Sequence, residues 1–184
     1  MRNTLKFRAS NLIEKAVIFS LLLLVSTNSV LSQQNDTVFS AKNTFYIDLS
    51  TKGAIYSINY DRVFHESDKI IYTYRIGFSI LKDFVALPVG INLLTGKENS
   101  HAEFSLTVMP YIDQYKTMFR DNDLSDKYIY IIPAIGYRYQ KRTGGFFFKA
   151  ALSPMIILDP RSSNFWKMNP EIYITGNVGL GLSF

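Results

Sequence analysis

Residues 172–184 alternate, position by position, between apolar and small or polar side chains. Every second residue is apolar or glycine, and the residues between them are small or polar apart from Tyr173. The apolar row comprises Ile172, Ile174, Gly176, Val178, Leu180, Leu182 and Phe184. A period of two is typical of a β-strand whose two faces meet different surroundings. The pattern predicts such a strand, with the final aromatic residue in its apolar row.

Earlier segments show the same alternation and are separated by residues typical of turns. They span 44–50, 54–61, 70–80, 84–94, 101–111, 128–140 and 145–155. Two polar connections, 112–127 and 156–171, are predicted to be long loops. With the last segment there are eight strands, an even number, as in bacterial single-chain barrels. The sequence therefore predicts an all-β fold, an eight-stranded antiparallel transmembrane β-barrel.

The first part of the chain predicts a cleavable signal peptide. Basic residues precede an apolar run at 16–25, and a polar stretch with a loose small-residue cleavage pattern ends before Gln33. The apolar run is shorter than the roughly 20 residues of a transmembrane helix, which disfavours the alternative of an uncleaved anchor. The sequence thus predicts a signal peptide at 1–32, an N-terminal lead at 33–42 and a barrel domain at 43–184.

Charge and cysteine content exclude several classes of function. The chain carries 20 Lys and Arg against 15 Asp and Glu, a net charge of +5, and no cysteine. Four of the basic residues and one acidic residue lie within 1–32, so removal of that segment lowers the net charge to +2. Because no basic run interleaved with aromatics is present, no nucleic-acid partner is predicted. The lack of cysteine excludes disulfides, thiolate metal sites and a lipoprotein anchor.

The alternation leaves open which face of the strands is outside. A soluble lipocalin-like barrel would expose the second row to water, where long Lys, Glu and Gln side chains are normal. That row is mostly Gly, Ser, Thr, Ala and Asn, which suit the narrow lumen of an eight-stranded barrel. Its mid-strand charges are of both signs: Asp48, Arg75, Glu103, Arg138 and Lys149. Because such charges can pair inside a lumen, the sequence favours an apolar row that faces lipid.

Aromatic residues of the apolar row recur at one end of the predicted strands. They are Phe45, Tyr60, Tyr72, Phe104, Tyr137, Tyr139, Phe146 and Phe184. Such a girdle is typical of a membrane interface. If both termini face the periplasm, the girdle lies at the periplasmic side and the long loops 112–127 and 156–171 lie outside the cell. The predicted location is the outer membrane in this orientation.

Three further segments, 87–97, 136–140 and 144–154, are similar to stretches of small uncharacterised bacterial outer-membrane β-barrels. Together with the last strand and the export signal, they make residues 43–184 resemble that family, whose architecture is of the OmpA/OmpX type. The resemblance implies that the last strand closes the barrel and that outer-membrane lipids and lipopolysaccharide are partners of the protein. It also implies an assembly signal for the barrel-assembly machinery, formed by Leu180, Leu182 and Phe184.

Prolines occur within four of the predicted strands, at Pro88, Pro110, Pro133 and Pro154. A closed barrel has no edge strand on which a missing N–H is harmless. All four lie toward the extracellular ends of their strands in the predicted orientation. We therefore expect bulges, or a rim above the membrane where ladder bonds can be lost.

The candidate catalytic and metal-binding patterns are weak. His65 lies beside Glu66, Ser67 and Asp68, but the two histidines, His65 and His101, both fall at predicted periplasmic ends and are interpreted as turn residues. The acidic run 121–126 lacks the Gly and Glu of a calcium-binding loop. Basic residues in 156–171 are interpreted as a loop near anionic headgroups. The sequence therefore predicts no catalytic residue, no cofactor and no metal.

The lumen charges leave two functions open. If they pair completely, they plug the barrel, and its role is structural, adhesive or partner-binding through the two long loops. If they are hydrated, they line a narrow pore for ions or small solutes with a slight anion preference, because the five charges have a positive excess. The narrowness of an eight-stranded lumen favours the plug.

Overall fold

The computed structural model describes residues 39–67, 69–96, 98–117, 125–158 and 171–184. The predicted signal peptide and the residues 33–38 of the lead lie outside the described residues. So do the acidic triplet at 121–123 and the basic loop residues at 161–167.

Strands dominate the described chain. They are β1 (Asn43–Ser50), β2 (Tyr56–Glu66), β3 (Ile70–Ile80), β4 (Phe84–Ala86), β5 (Val89–Thr95), β6 (Ser100–Asp113), β7 (Asp126–Gln140), β8 (Gly145–Leu158) and β9 (Glu171–Ser183). A short 3₁₀ helix, Tyr115–Thr117, follows β6. Among the described residues, no helix is long and apolar enough to cross a membrane.

The strands form a closed antiparallel ring. Apart from β4 and β5, which both pair with β3 and β6, each strand pairs with the next along the chain, and β9 returns to pair with β1 from Thr44↔Ser183 to Ser50↔Asn177. Both β4 and β5 lie between β3 and β6 in one continuous register, so they are two parts of a single barrel strand. The fold is therefore a closed eight-stranded antiparallel β-barrel, which confirms the predicted fold class.

The two ends of the barrel differ in their connections. The β2–β3, β5–β6 and β7–β8 connections lie at one end, which we call the short-turn end, together with residues 39–42 and Phe184. The β1–β2, β3–β4, β6–β7 and β8–β9 connections lie at the other end, the long-loop end. The two longest connections therefore leave the barrel at the same end.

The apolar row faces outward and the polar row faces the lumen, as predicted. Ile91 is 60% exposed, whereas its neighbour Asn92 is 2% exposed. Exposed apolar side chains occur on every barrel strand; examples are Ile47, Ile58, Ile76, Leu106, Ile135, Leu152 and Leu180. An apolar outer surface of this extent is typical of a barrel in lipid.

The second strand is longer than predicted. The sequence predicts a strand at 54–61 and a polar connection at 62–69, but β2 continues to Glu66. Val63 faces the lumen and Phe64 faces outward, so the alternation persists among charged neighbours that suggest a loop. A register shift between Val63 and His65 accommodates the end of the strand.

Strand β2 begins at Tyr56, two residues later than predicted, because the β1–β2 connection folds over the mouth of the barrel. Ala54, predicted to face outward, is buried, and Ile55, predicted to face inward, is exposed. Gly53 has a φ of 76°, a conformation that favours glycine. A Cβ at this position would lie 3.2 Å from Sδ of Met155 in the lumen. The turn thus needs glycine for both its conformation and its close approach to the lumen.

The long loops are shorter than predicted, because β6, β7 and β8 extend beyond the segments assigned from sequence. β6 ends at Asp113, β7 begins at Asp126 and β8 ends at Leu158. Pairing between β6 and β7 continues to Asp113↔Asp126. Polar residues hide the ends of β6 and β7 in the sequence, at Asp113 and at Asp126, whereas β8 is extended by an apolar run, 156–158, that lacks period-two alternation.

The four strand prolines lie opposite other strand interruptions. The break between β4 and β5 falls at Pro88, and Leu87 donates its backbone N–H to the carbonyl of Pro110 on β6. Ladder pairing between β7 and β8 lapses between Ile131↔Ile156 and Ile135↔Leu152, a gap that contains Pro133 and Pro154. The register is the same on both sides of each gap. The expected loss of ladder bonds is therefore present, but the expected bulges at these prolines are wrong.

Candidate functional site in the barrel lumen

The described lumen is filled in three layers along the barrel axis. An apolar cluster of Phe39, Val63, Ile71 and Leu94 occupies the short-turn end. A second apolar cluster occupies the long-loop end and consists of Ala54, Ala86, Met109, Tyr130 and Met155. Charged and polar side chains form the middle layer between them, which we call the polar layer. The lumen is narrow enough for side chains alone to fill it.

Arg75 and Asp48 form one ion pair of the polar layer. Nη2 of Arg75 lies 3.0 Å from Oδ2 of Asp48, and both side chains are buried. Nε of Arg75 donates to the side-chain oxygen of Asn59 at 2.8 Å. The side-chain amide of Asn177 on β9 donates to both oxygens of Asp48. The pair therefore connects β1, β2, β3 and β9.

Arg138 is the centre of the second group and is fully buried. Its Nη2 lies 3.1 Å from Oδ1 of Asp61, and its Nη1 lies 3.3 Å from Oε2 of Glu103. Its Nε donates to the side-chain oxygen of Gln140 at 2.9 Å. The guanidinium thus contacts a carboxylate on either side, which offsets part of the cost of burying its charge.

Glu103 bridges two cations. While Oε2 faces Arg138, Oε1 accepts a hydrogen bond from Nζ of Lys149. Among the described residues, Glu103 is the one carboxylate within ion-pair distance of Lys149. Glu103 thus connects the charged side chains of three neighbouring strands, β6, β7 and β8, within the lumen.

Neutral side chains extend this network around the barrel. The amide of Asn92 donates to Asp61 and to Thr73, both at 2.8 Å, and Gln140 donates to Thr44 at 3.1 Å. Every barrel strand contributes at least one polar side chain, since β5 supplies Asn92 and β9 supplies Asn177.

Two aromatic side chains pack within the polar layer. Tyr46 is buried with its ring 4.8 Å from that of Phe147, between centroids. The guanidinium of Arg138 lies 4.8 Å from the Phe147 ring centroid, and Arg75 and Lys149 lie within 6 Å of the Tyr46 ring. Such cation–π contacts stabilise cations that have left water.

The structure places all five predicted lumen charges, Asp48, Arg75, Glu103, Arg138 and Lys149, in this layer, each buried and each paired. The structure adds Asp61, which pairs with Arg138. The sequence predicts that Asp61 faces inward, but it lies at the end of its predicted strand and is therefore not counted among the mid-strand charges. With Asp61 the described layer holds three acidic and three basic side chains. The expected positive excess is therefore absent from the described layer, and the slight anion preference of a hydrated lumen loses its basis in charge.

The short-turn end is closed by residues 39–42, which the sequence assigns to a polar lead outside the barrel. The backbone N–H of Phe39 donates to Oε2 of Glu66 at 3.0 Å. Arg142 pairs with the same carboxylate at 2.6 Å and lies over the Phe39 ring. Backbone N–H groups of Ser40 and Ala41 donate to the Arg142 carbonyl. These contacts hold the segment across the end of the barrel.

The histidines do not assemble a catalytic group in the described residues. His101 is buried in the lumen at the short-turn end, 5.9 Å from Phe39 between ring centroids. His65 is exposed on β2 beside Tyr72, while its neighbour Glu66 pairs with Arg142. His65 and His101 thus lie on strands, near the turns in which they were predicted.

A small cavity lies between the polar layer and the long-loop cluster. Its volume is about 50 Å³, and its polar lining includes Asp48, Ser57, Arg75, Thr107 and Lys149. One water requires about 10–15 Å³ on this measure, so the cavity has room for a few waters. It is bounded by Met109 toward the long-loop end.

The residues of the implied assembly signal face outward. Leu180, Leu182 and Phe184 are all about half exposed or more. Phe184 and Asn43 exchange two backbone hydrogen bonds of 2.8 and 3.0 Å, so the β9–β1 seam extends to the last residue. This position leaves the three side chains accessible, and their recognition by an assembly machinery stays a prediction.

Comparisons with known proteins agree with the fold. No protein-family model and no curated protein matches the chain. Among solved structures, the chain is similar to the N-terminal β-barrel domain of Pseudomonas aeruginosa OprF, with a TM-score of 0.52 and 13% identity. The similarity covers 78% of this chain and 98% of that domain. The chain therefore has the fold of an eight-stranded outer-membrane β-barrel of OmpA-type architecture.

Proposed function

We propose that the protein is a non-enzymatic outer-membrane barrel whose lumen is closed, and that it acts as a membrane scaffold. Its partners in this role are outer-membrane lipids and lipopolysaccharide, the barrel-assembly machinery during insertion, and an extracellular partner reached through the long loops. The observation that carries the proposal is the filling of the lumen by two apolar clusters with a charge-balanced polar layer between them.

Because the three layers follow one another along the barrel axis, ion passage would require all three to open. The apolar clusters offer no polar groups to replace the hydration shell of an ion. In the polar layer, displacing one partner of a buried ion pair leaves the other uncompensated, at a cost of about 3–5 kcal/mol. The cavity of about 50 Å³ is too small to connect the two ends.

A structural or adhesive role follows from what the barrel presents. The two longest connections, after β6 and after β8, leave the same end, so one partner could contact both. With the termini in the periplasm this end faces the outside of the cell. The rigid, filled barrel would then hold the loops at a fixed spacing.

Permeability of refolded protein tests the closed lumen. Residues 33–184 would be refolded into lipid vesicles, and folding confirmed by a heat-modifiable gel shift. Vesicles placed in small sugars should swell no faster than protein-free vesicles. Faster swelling would overturn the closed lumen and favour the narrow pore.

Loop replacement tests the adhesive role separately. Replacing 159–170 with a short turn should reduce attachment of expressing cells to one another or to a surface, with the amount of folded barrel unchanged. Equal attachment by the two strains would contradict a role for this loop.

A further inference from the structure

The outer surface carries a groove where β7, β8, β9 and β1 lie side by side. Its volume is about 690 Å³. Its walls are formed by the exposed side chains of Leu49, Ile135, Leu152 and Val178. In the β8–β9 register Leu152 pairs with Gly176, and Val178 pairs with Ala150. Small residues therefore occupy diagonally adjacent outward positions, and the gap between Leu152 and Val178 stays open.

Nothing in the backbone or the packing requires glycine at position 176. A Cβ there would lie 3.4 Å from Cδ2 of Leu152 and 3.8 Å from the Ala151 carbonyl oxygen, which are ordinary contacts. At Gly181, on the same strand, a Cβ would overlap the backbone of Phe45 and Tyr46 on β1. Gly181 is thus explained by close strand approach, whereas the effect of Gly176 is to leave the groove empty.

We propose that this groove binds an acyl chain of a membrane lipid. The groove is continuous with the exposed apolar surface of the neighbouring strands, which meets hydrocarbon if the outer face lies in the membrane, as the proposed function requires. Within the hydrocarbon region no water is present to fill the groove. If the groove stayed empty, the side chains that line it would lose dispersion contacts. The groove is open along the barrel surface, and its volume of about 690 Å³ gives room for a stretch of methylene groups.

A second copy of the chain fits the groove less well. A stable interface involves about 20–30 residues on each side, whereas the groove is walled by a handful of side chains. When two apolar surfaces meet in lipid, no hydrophobic free energy is gained. Association of two copies would therefore need close packing over an extended area, or polar contacts between the copies. An open apolar groove beside the exposed side chains of Leu152 and Val178 suits a flexible chain instead.

The test fills the groove and measures retained lipid. Gly176→Leu places a side chain in the gap, and Ala102→Leu, on the outward row of β6, adds similar bulk elsewhere on the barrel. Wild type and variants would be refolded into phosphatidylethanolamine vesicles, transferred to detergent micelles and weighed by native mass spectrometry. We expect a bound lipid on wild type and on Ala102→Leu, and at least ten-fold less on Gly176→Leu. Ala150→Leu, which fills the same gap from β8, should behave like Gly176→Leu if the latter fails to fold.

Two results would overturn the proposal: wild type without lipid, or groove-filled variants that retain as much lipid as wild type. A lipid-free dimer that Gly176→Leu dissociates would assign the groove to a second copy and also overturn it. Protease protection in the vesicles is measured in parallel. A protected, inserted barrel without bound lipid would contradict only the proposal that the groove binds an acyl chain. A barrel that does not insert would contradict the proposed membrane scaffold.

Discussion

Glu103→Gln removes the charge on which two buried cations of the polar layer depend. Gln has nearly the shape of Glu and can still accept one hydrogen bond, so the change isolates the charge. Arg138 keeps Asp61 and Gln140 as partners, but among the described residues Lys149 loses its one carboxylate at ion-pair distance. The variant therefore leaves a buried ammonium group without a carboxylate at ion-pair distance among the described residues.

The expected cost follows from the burial of Glu103, which is 1% exposed. Breaking a buried ion pair by removing one partner costs about 3–5 kcal/mol. Because Gln retains an acceptor, we expect about 3 kcal/mol less free energy of unfolding. With a urea m-value of about 1–3 kcal/mol/M, the unfolding midpoint should fall by about 1–3 M in phospholipid vesicles.

Two further variants separate charge from packing. Glu171→Gln, at an exposed position of β9, should change the free energy of unfolding by no more than about 0.5 kcal/mol. Adding Lys149→Met to Glu103→Gln removes the unpaired ammonium group. The double variant should regain most of the lost free energy of unfolding, because replacing a buried ion pair with apolar residues is often neutral. If Glu103→Gln is as stable as Glu171→Gln, the polar layer does not hold the barrel as described.

Other substitutions test the remaining contacts. Phe39→Ala empties the short-turn cluster and should cost about 3–5 kcal/mol, read from the same urea midpoints; an unchanged midpoint would show that residues 39–42 are not docked. Gly181→Ala should abolish the heat-modifiable gel shift because its Cβ overlaps β1, whereas Gly176→Ala, whose Cβ meets only ordinary contacts, should fold normally. Two folded variants would refute the close-approach argument. Deleting Phe184 should lower the amount of barrel assembled in cells far more than the stability of purified barrel, and equal losses would contradict an assembly signal.

Period-two alternation is sufficient to predict the barrel because each strand has one face toward the lumen and the other toward the outside of the barrel. Strand β3 begins and ends where the pattern predicts it, at Ile70 and Ile80, with Arg75 inward and Ile76 outward. Small and polar residues in the inward row also predicted which face is the lumen. Both features are local, since each strand carries them without reference to its neighbours.

Features that depend on contacts between distant segments were missed. Asp61 pairs with Arg138 across the lumen, and strand periodicity cannot show that pairing or the charge balance it creates. Phe39 lies in a polar stretch with no strand pattern, yet it completes a cluster with Val63, Ile71 and Leu94. The lone aromatic in that stretch was the available signal.

Strand ends were the other source of error. Polar residues such as Asp113 and Asp126 lie at strand ends next to a loop, so they resemble loop residues although β6 and β7 still pair there. Pro133 on β7 and Pro154 on β8 lie opposite each other in one gap of the ladder. When each strand is considered by itself, its proline predicts a bulge instead.

Single-channel conductance of the refolded barrel tests the central claim, a lumen closed by side chains, most directly. Residues 33–184, shown to be folded by gel shift, would be added to a planar bilayer under an applied voltage and compared with a porin as a positive control. The filled lumen predicts a silent membrane at protein concentrations that give reproducible insertion. Steady, reproducible current steps from wild-type protein would contradict the closed lumen and make the six charges of the polar layer the lining of a pore.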